Sequence, residues 1–252
     1  MRLALFSDVH GNLSGLEAVL TEIDREAVEM VVFVGDLCHM GPRPADCVRA
    51  VRERRLAAVR GNTDEWLVGA AAPPARMAAI AEWTRGQLAP GEIDYLANLP
   101  FGLRVSPSAN SGDDLLIVHA NPLDINRIIY SAEEAQLARY GEVRQDDEQL
   151  ALLLGGFSGA ALAYGHLHLP GQRTWRGKLL VNVSSVNMPG DGDPRAKYAL
   201  LTWAGGRWTA EHRYVAYAVA PEIDAFRARR PPHWEEAVSE LASTGVYFPQ
   251  RI

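Results

Sequence analysis

Residues 1–12 read MRLALFSDVHGN, residues 30–36 read MVVFVGD and residues 56–62 read LAAVRGN. Each is a short apolar run ending at a polar side chain that can bind a cation: Asp8, Asp36 and Asn62. Between the first two runs, Leu16, Val19, Leu20 and Ile23 recur at the i, i+3, i+4, i+7 spacing of a helix, with Asn12 or Ser14 as its N-cap. Between the second and third, Gly41-Pro42 turns the chain into a stretch containing Val48 and Val51, again at helical spacing. Strand, helix, strand, helix, strand predicts an α/β fold with a parallel sheet covered by helices. In such sheets ligands bind outside the carboxyl ends of the strands, where the three polar residues fall.

Further along, strands are expected over 103–106 and 115–118, and the second ends in His119. Residues 75–99 are helical in composition, interrupted at Pro90-Gly91. Met77, Ile80 and Trp83 share one face there and read as packing residues. Helical stretches near 132–140 and 146–154 lead to a strand at 161–164, followed by Gly165-His166-Leu167-His168. The strands 172–175, 178–183, 198–202 and 207–213 follow, with Gly205-Gly206 as a hairpin signal. No repeat or Pro/Gly/Ser linker divides the chain, so a single domain over 1–252 is expected, with a helical tail at about 221–252.

Composition narrows the function by exclusion. The chain has 252 residues, 48% hydrophobic and 22% charged, with 25 Lys and Arg against 31 Asp and Glu, a formal charge of −6. That balance offers no electrostatic track for extended nucleic acid or an anionic membrane. No apolar run reaches the roughly 18 residues of a spanning helix. Cys38 and Cys47 form no disulfide framework, so a cytoplasmic location is expected. The sequence leaves homo-oligomerisation open.

Five separated pieces share one chemistry: Asp8-Val9-His10, Gly35-Asp36, Gly61-Asn62, His119 and Gly165-His166-Leu167-His168. If Asp8 and His10 are alternate residues of an extended segment they reach one ion, and so do His166 and His168. Two carboxylates, four imidazoles and one amide are too many donors for one tetrahedral ion and suit two ions sharing a carboxylate. Mixed N and O donors without thiolate favour Mn, with Fe, Zn, Ni or Mg as alternatives. Two divalent ions carry +4 against −2 from the carboxylates. The net positive centre would ionise a shared water and attract a phosphate oxygen, which points to in-line hydrolysis of a small phosphoester substrate, a phosphodiester or a nucleotide-like phosphate.

These pieces resemble the motifs of the calcineurin-like metallophosphoesterase superfamily, and within it the small bacterial and archaeal phosphodiesterases of the YfcE type. Residues 181–201, including Asp191-Gly192-Asp193-Pro194-Arg195-Ala196, are similar to a downstream segment of that group. The resemblance implies a four-layer α-β-β-α sandwich of two facing mixed sheets with the metals at one end. Carried over by motif, Asp8, His10 and His168 hold one metal, Asn62, His119 and His166 hold the other, and Asp36 bridges. Asp36 and Asn62 are thereby the expected catalytic residues.

Two departures stand out. Many relatives carry a histidine after the Gly-Asn pair that protonates the leaving group. Here that position is Thr63, whose hydroxyl is no useful acid. His39, three residues after Asp36, is the candidate substitute. Residues 183–185 read Val-Ser-Ser, where relatives usually have Pro-Gly-Ser. Asn12, Arg127 and Arg195 are the candidates for substrate phosphate contacts. Asp64 is expected to orient a ligand from behind the site or to cap a helix. Rival readings are a scaffold that keeps the fold but works by protein binding, and a Ser/Thr phosphoprotein phosphatase. The full set of metal ligands disfavours the first, and Thr63 weakens the second.

Overall fold

β1 (Arg2–Phe6), β2 (Met30–Phe33) and β3 (Ala57–Ala58) pair in parallel, with α1 (Leu13–Ile23) and α2 (Pro44–Glu53) as crossovers. On the other side of β1 runs β9 (Ala196–Ala204), antiparallel, with Leu3 opposite Leu201. β10 (Arg207–Val215) closes that edge, giving the order β10-β9-β1-β2-β3. Gly205 and Gly206, at φ 58° and 73°, form the hairpin turn between the last two strands, as the positive φ of a two-residue hairpin requires. In this computed structural model residues 1–246 are described, so positions 247–252 of the expected tail lie outside the described residues.

The second sheet contains β4 (Gly102–Val105), β5 (Leu115–Val118), β6 (Ala161–Tyr164), β7 (Pro170–Trp175) and β8 (Lys178–Val183), in the order β4-β5-β6-β8-β7. Its three middle strands are parallel and both edges antiparallel. Period-two alternation along β1 explains how the sheets stack. Leu3 and Leu5 pack with Leu115, Ile117, Ala163 and Val181 of the facing sheet. Ala4 and Phe6 face the other way, against Leu16, Val19 and Val48 of α1 and α2. On the outer face of the second sheet, Leu162 and Leu180 pack with Leu150 and Leu153 of α7 (Asp147–Leu154). The result is the expected α-β-β-α sandwich.

Some elements differ from expectation. The segment after Asn62 is a helix, α3 (Asn62–Val68), which a seven-residue stretch starting on a ligand candidate did not announce. The 75–99 stretch splits into α4 (Ala78–Gly86) and α5 (Pro90–Ala97), with Pro90 at the first turn of the second helix, where its missing N–H costs nothing. α6 (Glu133–Tyr140) precedes α7. The tail forms α8 (Ala220–Arg229) and α9 (Trp234–Thr244), packed together through Phe226, Ala237 and Leu241. Glu222 of α8 accepts from the Ser14 N–H at 2.8 Å and pairs with Arg43, fastening the tail to the first sheet's helices. Among the described residues, no helix is long and apolar enough to cross a membrane.

The loop after β8 lies directly on the end of β1: the Val186 N–H donates to the Ser7 carbonyl at 2.9 Å and the Asn187 N–H to Asp8 at 3.0 Å. Ser184, at φ 67°, takes the position where relatives usually have glycine, and among the described residues its buried hydroxyl has no hydrogen-bond partner. A Cβ at that φ is unfavourable by about 1–2 kcal/mol. Ser184→Gly is therefore expected to stabilise the fold by about 1 kcal/mol in urea denaturation; a loss of stability would contradict the strain assigned to this turn.

Candidate metal centre

The seven expected ligands meet beyond the carboxyl ends of β1, β2, β3, β5 and β6, but five of them do not lie in extended segments. Asp8, His10, Asp36, His166 and His168 all have positive φ, between 46° and 65°. Extended alternation, the basis for pairing Asp8 with His10 and His166 with His168, is thus replaced by left-handed turns. Each such residue costs about 1–2 kcal/mol, and such strain collects at functional sites. Two glycines permit the close approach. A Cβ on Gly61 would lie 2.0 Å from the Asp36 carboxylate, and one on Gly165 would lie 2.6 Å from that of Asp8.

The side chains form two groups, Asp8 with His10 and His168, and Asp36 with His119 and His166, each with ligand atoms within 4.8 Å of one another. In the first, His168 Nε2 is 3.2 Å from Asp8 Oδ1 and 3.3 Å from His10 Nε2. In the second, His119 Nε2 is 3.5 Å from Asp36 Oδ1 and 3.1 Å from Asn62 Oδ1. Asp36 joins them, because its other oxygen, Oδ2, lies 3.6 Å from His10 Nε2.

The outer ring of contacts fixes the imidazole tautomers. His119 Nδ1 faces the Val34 carbonyl at 2.8 Å, His168 Nδ1 that of Met188 at 3.0 Å, and His166 Nε2 that of Asn126 at 2.9 Å. A carbonyl only accepts, so each of these nitrogens carries the hydrogen, and in the neutral ring the other nitrogen turns a lone pair to the centre. Asp8 and Asp36 are buried and, among the described residues, neither pairs with a lysine or arginine. Among the described residues, the side-chain nitrogens within 4 Å of Asp8 Oδ1 are those of His10 and His168. Buried carboxylates with lone pairs converging beside them fit cations.

Electrostatics of the protein alone agree. Burial would raise both carboxyls, yet the imidazoles of His168 and His10 hold Asp8 well below the usual carboxylate range, and His119 does the same for Asp36. Burial opposes the charge of His119, but Asp36 and Asp8 outweigh it and push it up to about 10. His168 is likewise raised by Asp8 against its burial. His166 is lowered to about 4 by burial and the neighbouring His119.

Asp64 acts behind the centre. It caps α3 by accepting from the Gly61 N–H at 2.8 Å, and its carboxylate also takes the N–H groups of Asp36 at 3.0 Å and Leu37 at 3.1 Å. Burial and the Asp36 charge raise it to about 6, opposed by those three N–H groups. It positions the Asp36 backbone rather than a histidine.

Other expected site residues lie elsewhere. His39 is fully buried and does not line the cleft beside the centre. Burial lowers it to about 3, so it holds no proton to give at neutral pH, and its ring packs edge-to-face with Trp66. The Asn12 side chain caps α1 through the Gly15 N–H and donates to the Tyr217 hydroxyl at 2.9 Å, a structural role. Arg195 pairs with Asp193 and stacks on Tyr214. Arg127 is exposed and its side chain does not line the cleft. The arginines that do are Arg76 and Arg139, which no motif marked. Thr63 lines the cleft and its N–H donates to Asp36 Oδ1 at 2.9 Å.

Residues 1–206 match the profile of the calcineurin-like phosphoesterase superfamily domain. The chain belongs to that superfamily. It is thereby placed among phosphoester hydrolases, and the two side-chain groups are its candidate metal ligands. It is similar to the crystal structure of a metallophosphoesterase from Sphaerobacter thermophilus, with a TM-score of 0.75 and 30% identity over 98% of this chain and 100% of that one. The hypothetical protein PH1004 from Pyrococcus horikoshii OT3 has the same fold, with a TM-score of 0.75 at 16% identity over 95% and 97% of the two chains. The uncharacterized protein MJ0912 of Methanocaldococcus jannaschii is 25% identical over 238 residues, 92% of this chain and 94% of that one.

Removing one outer partner of a metal ligand commonly costs 10–100-fold in metal affinity. Asp64→Asn sets an amide where three N–H groups now find a carboxylate, and it is expected to weaken Mn²⁺ binding by about 10–100-fold while circular dichroism stays native. Calorimetric affinity equal to that of the unchanged protein would contradict the positioning role.

Proposed function

We propose that this chain is a phosphodiesterase that works with two divalent transition cations, Mn²⁺ foremost. Asp36 carries the reading: one buried carboxylate directs each of its oxygens to a different group of ligands. Asp8, His10 and His168 would hold one cation, and Asn62, His119 and His166 the other. Such a pair lowers the pKa of a shared water to near neutrality and polarises a phosphoryl oxygen.

The chain's own residues do the rest. Four neutral imidazoles and an amide hold the charge in place without cancelling it, so two carboxylates leave the centre positive toward an anionic ester. Left-handed turns at five ligands and the carbonyls behind three imidazoles hold the donors in place before any ligand arrives. Such preorganisation keeps the cost of ordering out of the binding step. The cleft beside the centre, about 330 Å³, leaves room for ester groups on a phosphorus rather than for phosphate alone.

Neither Thr63 nor the buried His39 offers the leaving group a proton. A general acid is worth about 10²–10⁴-fold, so esters with acidic leaving groups are favoured. The rival reading as a protein-binding scaffold is disfavoured by a full ligand set held under strain.

The test uses Mn²⁺-loaded protein with bis-p-nitrophenyl phosphate beside p-nitrophenyl phosphate. The diester is expected to turn over faster, and Asp36→Asn to abolish turnover with the fold retained. Full activity of that variant, or faster monoester hydrolysis, would overturn the assignment.

A further inference from the structure

The cleft extends beyond the ligand centre into a region of different chemistry. Met40, Met77 and Met188 are nearly buried there and cluster together, with Trp66 packed against them. Methionine is flexible and polarisable and adapts to flat or irregular ligands, and indole offers a stacking face for a base. Ile128 and Leu167 add to this apolar lining. This is not the lining that a lone phosphate needs. The volume of about 330 Å³ lies at the lower end of pockets that enclose whole organic ligands, about 300–1,000 Å³.

Two cations line the same cleft from segments far apart in sequence. Arg76 lies in the turn of 3₁₀-helix at Ala75–Met77, before α4. It is exposed, and among the described residues its guanidinium has no carboxylate or carbonyl partner. Arg139, on α6, donates from Nη2 to the Gly190 carbonyl at 2.6 Å, which ties it to the cleft rim and leaves its other donors for a ligand. Among the described residues, neither makes a hydrogen bond or ion pair with the seven ligand candidates. In a chain of net charge −6, an arginine left unpaired in a cleft is a site for an anion.

We infer that this outer cleft takes a nucleotide carrying a second phosphate: the base lies against Trp66 and the methionines, and Arg76 with Arg139 binds a phosphate other than the one at the ligand centre. The inference rests on the proposed phosphodiesterase reading and names its substrate class. Arg76 and Arg139 are the specificity residues of this assignment, and each arginine–phosphate contact is charge-assisted.

Calorimetry on Mn²⁺-loaded protein at fixed Mn²⁺, with ADP, AMP and inorganic phosphate as probes, tests it without turnover. ADP is expected to bind tighter than AMP, and AMP tighter than phosphate. Arg76→Ala and Arg139→Ala are each expected to weaken ADP by roughly tenfold or more and to shrink its advantage over AMP. Trp66→Ala should shrink the advantage of AMP over phosphate. Equal affinity for the three probes, or variants that weaken phosphate as much as ADP, would overturn the inference. The two readings fail separately. Hydrolysis of bis-p-nitrophenyl phosphate with no preference for ADP removes only the nucleotide cleft. Ordered binding of the three probes without hydrolysis of any ester removes the phosphodiesterase reading.

Discussion

Two buried carboxylates without a lysine or arginine partner are the constraint around which this molecule is arranged. Asp8 and Asp36 lie at the ends of β1 and β2, buried, and among the described residues their hydrogen-bond and ion-pair partners are imidazoles and backbone N–H groups. Isolated burial of two such charges would cost several kcal/mol each. Protonated histidines can offset that cost, as the raised His119 and His168 indicate, and bound cations can do so too. The same arrangement attracts protons and metals alike, and the two compete for the same lone pairs. The left-handed backbone at five ligands is held by the strands beneath and by the 184–188 loop laid across the end of β1.

Much of this was legible because the strands of a doubly covered sheet are buried on both faces and read as bare apolar runs. The strands at 115–118, 161–164 and 178–183 have the bounds their apolar runs suggested. His119, His166 and Asn62 were visible for the same reason, as polar residues where such a run stops. The neighbours of β1 were not legible from periodicity. Leu3 lies opposite Leu201, some two hundred residues away, and no local pattern encodes that pairing; the four-layer sandwich came from the motif resemblance. Likewise the geometry of Asp8 and His10 was read as extended, whereas both sit in turns whose positive φ glycine usually supplies.

Side chains that act through the cleft wall rather than through a motif were the least legible. Arg127 and Arg195 stood near recognisable segments, yet Arg127 is exposed away from the cleft and Arg195 is paired with Asp193, whereas Arg76 and Arg139 sit in unremarkable surface sequence and reach the cleft only through the path of the helices around them. Met77 read correctly as a packing residue and also forms part of the cleft, because a side chain at the end of a cluster has two sides. His39 shows the converse: proximity to Asp36 in sequence suggested an acid, but Asp36 and His39 are separated by a turn that sends the imidazole inward against Trp66.

The central claim is that one carboxylate is shared by two cation sites. Anomalous scattering from crystals of the Mn²⁺-loaded protein addresses it directly. Two peaks, one beside Asp8, His10 and His168 and one beside Asn62, His119 and His166, with an Asp36 oxygen on each, are predicted. A single peak, or two peaks without Asp36 between them, would contradict the account.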